Sequence, residues 1–299
     1  MLQLQGHCKN RQIMKKISSV IGVTAVVLFF VTLQAGFSSC KKEIVRDTLY
    51  IKDTIRIKDT VHVVDSSNCS CYNLSDGLVA YYNFNNGNLN DSSGYNNNII
   101  FSNAVKTTDR FGRANNAYLF DGSNAYMKVA NSASLNPSGA ITLMATFKIN
   151  GFYSANCVNN QLFGKGWYDF INGFYVLRFY STVGCQNTVD TSKEQLYGNY
   201  GDLSGRTGGY DNSFVHSNIW YNVVYTVDGG VSKLYVNGVL KSTTSAVSTT
   251  FSANSQELFI GKHGDPQYPY YFNGVIDEIR IYNKALCAAA VTQLYNTKQ

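Results

Sequence analysis

From Leu74 onward, short runs of alternating apolar and polar residues are separated at close spacing by turns rich in Gly, Asn, Asp and Ser. The runs are GLVAYYNF (77–84), AYLFDG (117–122), AYMKV (125–129), ITLMATFKI (141–149), GFYVLRFYS (173–181), WYNVVYTV (220–227), SKLYVNGVLK (232–241), QELFIG (256–261) and NGVIDEIRIYN (273–283). A period of two places successive side chains on opposite faces of an extended chain, so each run reads as a strand with one buried face. In SKLYVNGVLK, Asn237-Gly238 marks a tight hairpin because both residues tolerate positive φ. Only ALCAAAVTQLYN (285–296) has a helical pattern. The expected fold is all-β: two antiparallel sheets packed as a sandwich, with a short C-terminal helix.

Composition agrees with that reading and with export. The chain has 22 Tyr and 17 Phe against only three Pro, and 15% charged residues, a profile that favours strands exposed to an outside medium. The net charge of +6 is not a nucleic-acid signature. Residues 1–73 hold ten Lys and Arg against five Asp and Glu, whereas residues 74–299 hold fifteen against fourteen. The folded part is nearly neutral and offers no basic stripe for phosphate, so no nucleic-acid partner is expected.

The basic excess belongs to a targeting segment. Met14-Lys15-Lys16 precedes a run from Ile17 to Ser39 with no charged residue, the pattern of a secretory signal peptide. Residues 1–13 fit no such pattern, and Met14 is read as the start. The run ends at Ser38-Ser39-Cys40, which resembles a bacterial lipobox with Phe37 where Leu is usual. The resemblance implies cleavage before Cys40, lipidation of its thiol, and attachment to the outer membrane through the lipid alone. The competing reading is an uncleaved transmembrane anchor. Both put the rest of the chain outside the cytoplasm.

Residues 40–73 form a spacer containing three hexads, DTLYIK, DTIRIK and DTVHVV. Six is commensurate with a strand period of two and not with 3.6, so the segment reads as extended, either as a solvated stalk or as a strand that pairs with a second copy. The globular domain then occupies residues 74–299.

The order LVAYYNF, AYLFDGSNAYMKV, ITLMATFKI, LFGKG, FYVLRF, WYNVVYTVDGGVSKLYVNGVLK, LFIGKHG and YFNGVIDEIRIYNKAL resembles the laminin-G-like branch of the concanavalin A-like lectin/glucanase jelly rolls over residues 77–296. The closing FNGVIDEIRIYNKAL is its most specific piece. The resemblance implies a jelly-roll sandwich and a glycan or polysaccharide ligand, with a surface protein as the alternative partner.

Catalysis is not expected. Retaining glycosidases of this architecture carry an E-x-D-x-x-E strand, which holds two carboxylates on one face. Residues 74–299 contain only Glu194, Glu257 and Glu278, none in that pattern, and adjacent Asp277 and Glu278 are expected on opposite faces of their strand. His216 and His263 are the only histidines of the domain and have no metal-ligand companion at a recognised spacing, and no G-x-S-x-G elbow occurs. A divergent glycan-degrading enzyme is the weakest of the three readings.

The binding surface is expected in aromatic loops: Trp167 and Tyr168 in WYDF, Tyr200 and Tyr210 within 198–211, and Tyr268, Tyr270 and Tyr271 within 263–274. Rings outside strand alternation can stack on a sugar, although such rings also serve packing. The resemblance further implies a structural calcium joining the regions of Asp121 and Asp277, with Asn85 or Asp91 as additional ligands. On the residues alone, Asp121 is a turn former and Asp277 a strand cap or a partner of Arg280. Cys157 and Cys185 form the natural disulfide of an exported sandwich, and Cys69 or Cys71 are candidates to bridge to Cys287.

Overall fold

The computed structural model describes residues 73–152, 160–166, 172–181, 194–202, 209–210, 215–245, 247 and 250–297, with the paired segments 44–45 and 62–63. The chain divides into two compact units, Met1–Val63 and Val64–Gln299. In the first, β1 (Ile44–Val45) pairs antiparallel with β2 (His62–Val63), the second lying in the last hexad.

The second unit is a two-sheet sandwich. One sheet contains β4 (Ile99–Ser102), β7 (Met127–Val129), β9 (Gln161–Lys165), β10 (Phe174–Ser181), β11 (Glu194–Gly201), β12 (Gly209–Tyr210) and β16 (Leu258–Ile260). Its order is β12-β11-β10-β9-β16-β7-β4. The other contains β3 (Leu78–Tyr82), β5 (Val105–Thr107), β6 (Ala117–Asp121), β8 (Ile141–Gly151), β13 (Trp220–Asp228), β14 (Val231–Val236), β15 (Val239–Ser245) and β17 (Asn273–Tyr282). Its order is β15-β14-β13-β8-β17-β6-β5, with β3 also paired to β17. Every pairing is antiparallel, and β14 and β15 are the hairpin turned by Asn237 and Gly238, both at positive φ.

Alternation decides which residues enter the core. Leu143, Ala145 and Phe147 of β8, Val223 and Tyr225 of β13, and Tyr175, Leu177 and Phe179 of β10 all face between the sheets. The intervening Met144, Val224, Tyr235 and Tyr282 point outward from the eight-stranded sheet, where α1 (Ala288–Asn296) covers them with Ala290, Val291 and Leu294. The all-β sandwich and its C-terminal helix are as the sequence implied.

Residues 198–201 correct the sequence reading, which treated them as loop. They belong to β11, where Gly198 faces inward: a Cβ there would lie 2.2 Å from the Tyr225 ring. Two glycines and mixed polarity hide this strand from a pattern search. Tyr200 is consequently a core residue, 1% exposed and stacked on Phe251 at 5.0 Å. It cannot contact a ligand.

Candidate binding face and the aromatic platform

The outer face of the seven-stranded sheet is built by register. One row crosses six strands: Phe101 opposes Lys128, Lys128 opposes Phe259, Phe259 opposes Gly164, Gly164 opposes Val176, and Val176 opposes Asn199. Side chains that share a row on one face are neighbours. Gly164 lies opposite Phe259 in this row, and the space a Cβ would take there is filled by Tyr175 O at 2.8 Å, Gln161 Nε2 at 3.0 Å and Val176 Cγ2 at 3.1 Å.

At the β4–β7–β16 end the row becomes an aromatic platform. Phe101, 40% exposed, tilts against Tyr126 at 4.8 Å, and Tyr126 approaches Phe259 at 6.2 Å. The Lys262 ammonium lies 4.6 Å from the Tyr126 centroid, 4.9 Å from Phe259 and 5.9 Å from Tyr271. Partial burial lowers the Lys262 pKa, with Glu257 opposing that shift and Lys128 adding to it. Lys128 and Glu257 pair at 2.9 Å on the same face. Half-buried rings with an ammonium over them offer an apolar surface and a hydrogen-bond donor side by side.

A second row, Gln161–Arg178–Tyr197–Tyr210, runs across β9, β10, β11 and β12. Arg178 lies 5.3 Å from the Tyr197 ring, and Gln161, Arg178, Tyr197 and Asn199 are all buried. The 262–271 loop joins this row, since Gln161 N donates to Tyr270 O at 3.0 Å and Gln161 Nε2 donates to Lys262 O at 2.8 Å.

Of the aromatic residues expected to form the site, three lie together in the 262–271 loop. Tyr268, Tyr270 and Tyr271 are half-buried; Tyr268 stacks on Tyr270 at 6.1 Å, and Tyr270, at positive φ, packs on the buried His263. This loop lies at the Gln161 end of β9. Trp167, Tyr168 and the Tyr210 side chain lie outside the described residues, as do Cys40, Cys69, Cys71, Cys157 and Cys185. Cys287 is a free cysteine at the start of α1. Sequence reading missed Phe101, Tyr126, Phe259 and Lys262; the usable signal was that Phe259 alternates with core Leu258 and Ile260, whereas Phe101 shares the parity of core Ile99 and is turned outward by the register shift between them.

On the opposite sheet, Asp277 and Glu278 do not face apart. The β8–β17 register shifts between Ile276 and Glu278, so the extra residue turns both carboxylates to the outer side. Arg110 Nη1 meets Asp277 Oδ2 at 2.8 Å and Glu278 Oε2 at 3.4 Å, while Arg280 pairs with Glu278 and not with Asp277. Arg110 is aimed there by Asp109, which accepts from the Phe111 and Arg113 backbone, each at 2.8 Å. Burial raises the Asp277 pKa to about 6, assisted by Glu278 and Asp109 and opposed by Arg110. Both carboxylate side chains are at most 5% exposed.

The expected calcium ligands do not fit one ion. Asp121 opposes Asn273, and Asp277 lies four residues further along β17, roughly 13 Å away, whereas calcium–oxygen distances are about 2.3–2.6 Å. Asp121 Oδ1 accepts from the Ser123, Asn124 and Ala125 backbone at 2.9 Å each. Burial works to raise its pKa, but those bonds prevail and lower it. Asp91 similarly accepts from Tyr81, Ser93 and Asn97. Among the described residues no group of three metal-binding side chains occurs.

A laminin-G family model, described as the concanavalin A-like lectin/glucanases superfamily, matches residues 121–292. No curated protein matches the chain. Among solved structures, domain 4 of AbnA, a GH43 extracellular arabinanase from Geobacillus stearothermophilus, in complex with arabinotriose, aligns with a TM-score of 0.54 at 21% identity, covering 73% of this chain and 98% of that domain. The binding domain of Paraclostridial Mosquitocidal Protein 1 aligns with a TM-score of 0.56 at 18% identity, covering 74% of this chain. The receptor binding domain of botulinum neurotoxin D aligns with a TM-score of 0.53 at 16% identity, also over 74%. The chain spans 52% of each toxin domain.

Proposed function

Since the chain belongs to the concanavalin A-like lectin/glucanase superfamily, we propose that it is an exported lipoprotein, tethered through Cys40, whose sandwich binds glycan without cleaving it. The observation that carries the reading is the platform of Phe101, Tyr126 and Phe259 with Lys262 over the rings. Pyranose and furanose rings present C–H faces to aromatic rings and hydroxyls to an ammonium, so stacking and hydrogen bonding act on one ligand. The similar arabinanase domain, recorded with arabinotriose, supports that ligand class. One such site is expected to be weak, roughly micromolar to millimolar, and clustering of anchored copies raises avidity.

A non-catalytic role is supported by the chemistry of Asp277 and Glu278. Both carboxylates are buried and bound to arginines, so neither is presented to a substrate. The protein-binding alternative draws on Ile100, 58% exposed on strand β4 at the edge of its sheet.

An oligosaccharide array probed with the full chain tests the binding reading. Binding to one or more glycans supports it, and capture of a surface protein with an empty array favours the alternative. The tether is tested by labelling with a clickable fatty acid: the wild type should be marked and Cys40→Ala should not, and equal marking would remove the lipoprotein assignment.

A further inference from the structure

A cavity of about 400 Å³ opens on the outer face of the eight-stranded sheet, the side opposite the platform. Alternation places it there. Met144 and Val224 are covered by α1, but Thr146, Asn222 and Trp220 continue the same outward phase of β8 and β13 without lying in that apolar cluster. The helix has only nine residues, about 13 Å at 1.5 Å per residue, and the cavity lies where its last turn ends, against Tyr295, Asn296 and Thr297.

The lining is amphipathic. Trp220, Tyr295 and Phe111 supply rings, the last two 48% and 41% exposed. Thr146, Asn222 and Asn237 supply the polar floor. Arg110 forms a wall, but its guanidinium is taken by Asp277, by Glu278 and by Thr297 O at 3.3 Å. The wall therefore carries neutralised charge, and an ionic ligand gains little from it.

Asn222 is the group the fold leaves unfinished. The residue lines the cavity and is 6% exposed, Nδ2 donates to Thr146 Oγ1 at 3.0 Å, and the backbone N–H donates to Asn237 Oδ1 at 2.9 Å. Oδ1 is buried with no hydrogen-bond partner. A buried carbonyl oxygen without a donor is unfavourable, and a ligand hydroxyl at this position would satisfy it. Cavities of a few hundred Å³ with apolar walls and a few converging polar groups are the usual form of a small-molecule site.

We propose that this cavity is a second binding site, for a single neutral glycosyl unit stacked between Trp220 and Tyr295 with a hydroxyl donated to Asn222 Oδ1. The ligand class rests on the glycan reading above; the location does not. Two sites on opposite faces would let one anchored molecule join two chains, or hold one chain end apart from the segment lying on the platform.

The chain has two tryptophans, so Trp167→Phe leaves Trp220 as the sole indole reporter. The full chain carrying that change is titrated with methyl β-glucopyranoside, methyl β-galactopyranoside and methyl α-mannopyranoside while Trp220 emission is followed. The expected result is a saturable change with at least one glycoside, weakened tenfold or more by Asn222→Ala and by Tyr295→Ala, and unaltered by Phe259→Ala. Tyr295 is exposed, so its variant keeps the test valid if Asn222→Ala does not fold. No saturable change with all three glycosides, or one that Tyr295→Ala leaves intact, overturns the second site. Polysaccharide binding that Phe259→Ala abolishes reads the platform separately, so either site can fail while the other stands.

Discussion

Replacing Asp277 by Asn tests the bulge, the buried ion pairs and the charge state together. Burial, Glu278 and Asp109 outweigh Arg110 and raise the Asp277 pKa from 3.8 to about 6. The folded chain then holds a proton that the unfolded chain has released, between about pH 4 and pH 6. Stability contributed by this group is fully present below the lower value and is lost as pH rises through the upper one, by roughly 3 kcal/mol at 1.36 kcal/mol per pKa unit. Asparagine keeps the shape and cannot ionise, and Arg110 retains Glu278 and the Thr297 carbonyl. Urea unfolding of wild type and Asp277→Asn at half-unit steps from pH 4 to pH 7 gives a difference curve in which all other titrating groups cancel. The variant should gain on the wild type across that window and then level off, a change of about 2–3 kcal/mol. A flat difference curve, or a variant that loses ground as pH rises, would refute the reasoning and show that Arg110 controls the carboxylate.

Arg110→Met should cost about 3–5 kcal/mol in the same urea assay at pH 7, because it strips Asp277 of its arginine and deprives Glu278 of one of two in a buried setting; a loss below 1 kcal/mol would mean that water replaces the arginine. Gly198→Ala drives a methyl group to within 2.2 Å of the Tyr225 ring, so the protein should lose about 1–3 kcal/mol of stability, as an overpacked core does, and melt at a lower temperature. An unchanged melting curve would place Gly198 outside the core. Lys165, fully buried with Asn136 and Asn254 as acceptors, has its pKa lowered by burial to about 8. Because the unfolded chain binds the proton more tightly, stability should rise with pH above about 8, and Lys165→Met should remove that rise; parallel curves for the two proteins would contradict it.

The sandwich was legible because alternation is clean in the strands that carry it. ITLMATFKI and WYNVVYTV each offer one face to the core and another to the helix or the cavity, and both faces could be assigned from phase alone. The β11 strand was illegible for a definite reason: Gly198 is there to admit a tyrosine from the other sheet, and nothing in EQLYGNYG announces that partner. Asp277 and Glu278 were misread because a bulge changes phase without leaving a mark in composition. The candidate site was half visible. Tyr268, Tyr270 and Tyr271 stand out as loop aromatics, but the platform is assembled from Phe101, Tyr126 and Phe259, which look like ordinary strand residues until register brings three separate strands together. Tyr200 failed in the opposite direction, because a tyrosine between glycines resembles a loop ring and serves as core.

The central claim, that the outer face of the seven-stranded sheet holds glycan, is tested most directly by calorimetric titration of an array-positive oligosaccharide into wild type and Phe101→Ala/Phe259→Ala. Both rings are partly exposed and outside the core cluster, so the melting temperature should change little. Losing the stacking surface should weaken binding by about 1.5–3 kcal/mol, on the order of tenfold to a hundredfold. An affinity equal to that of the wild type, in a variant that melts normally, would contradict the assignment of this face.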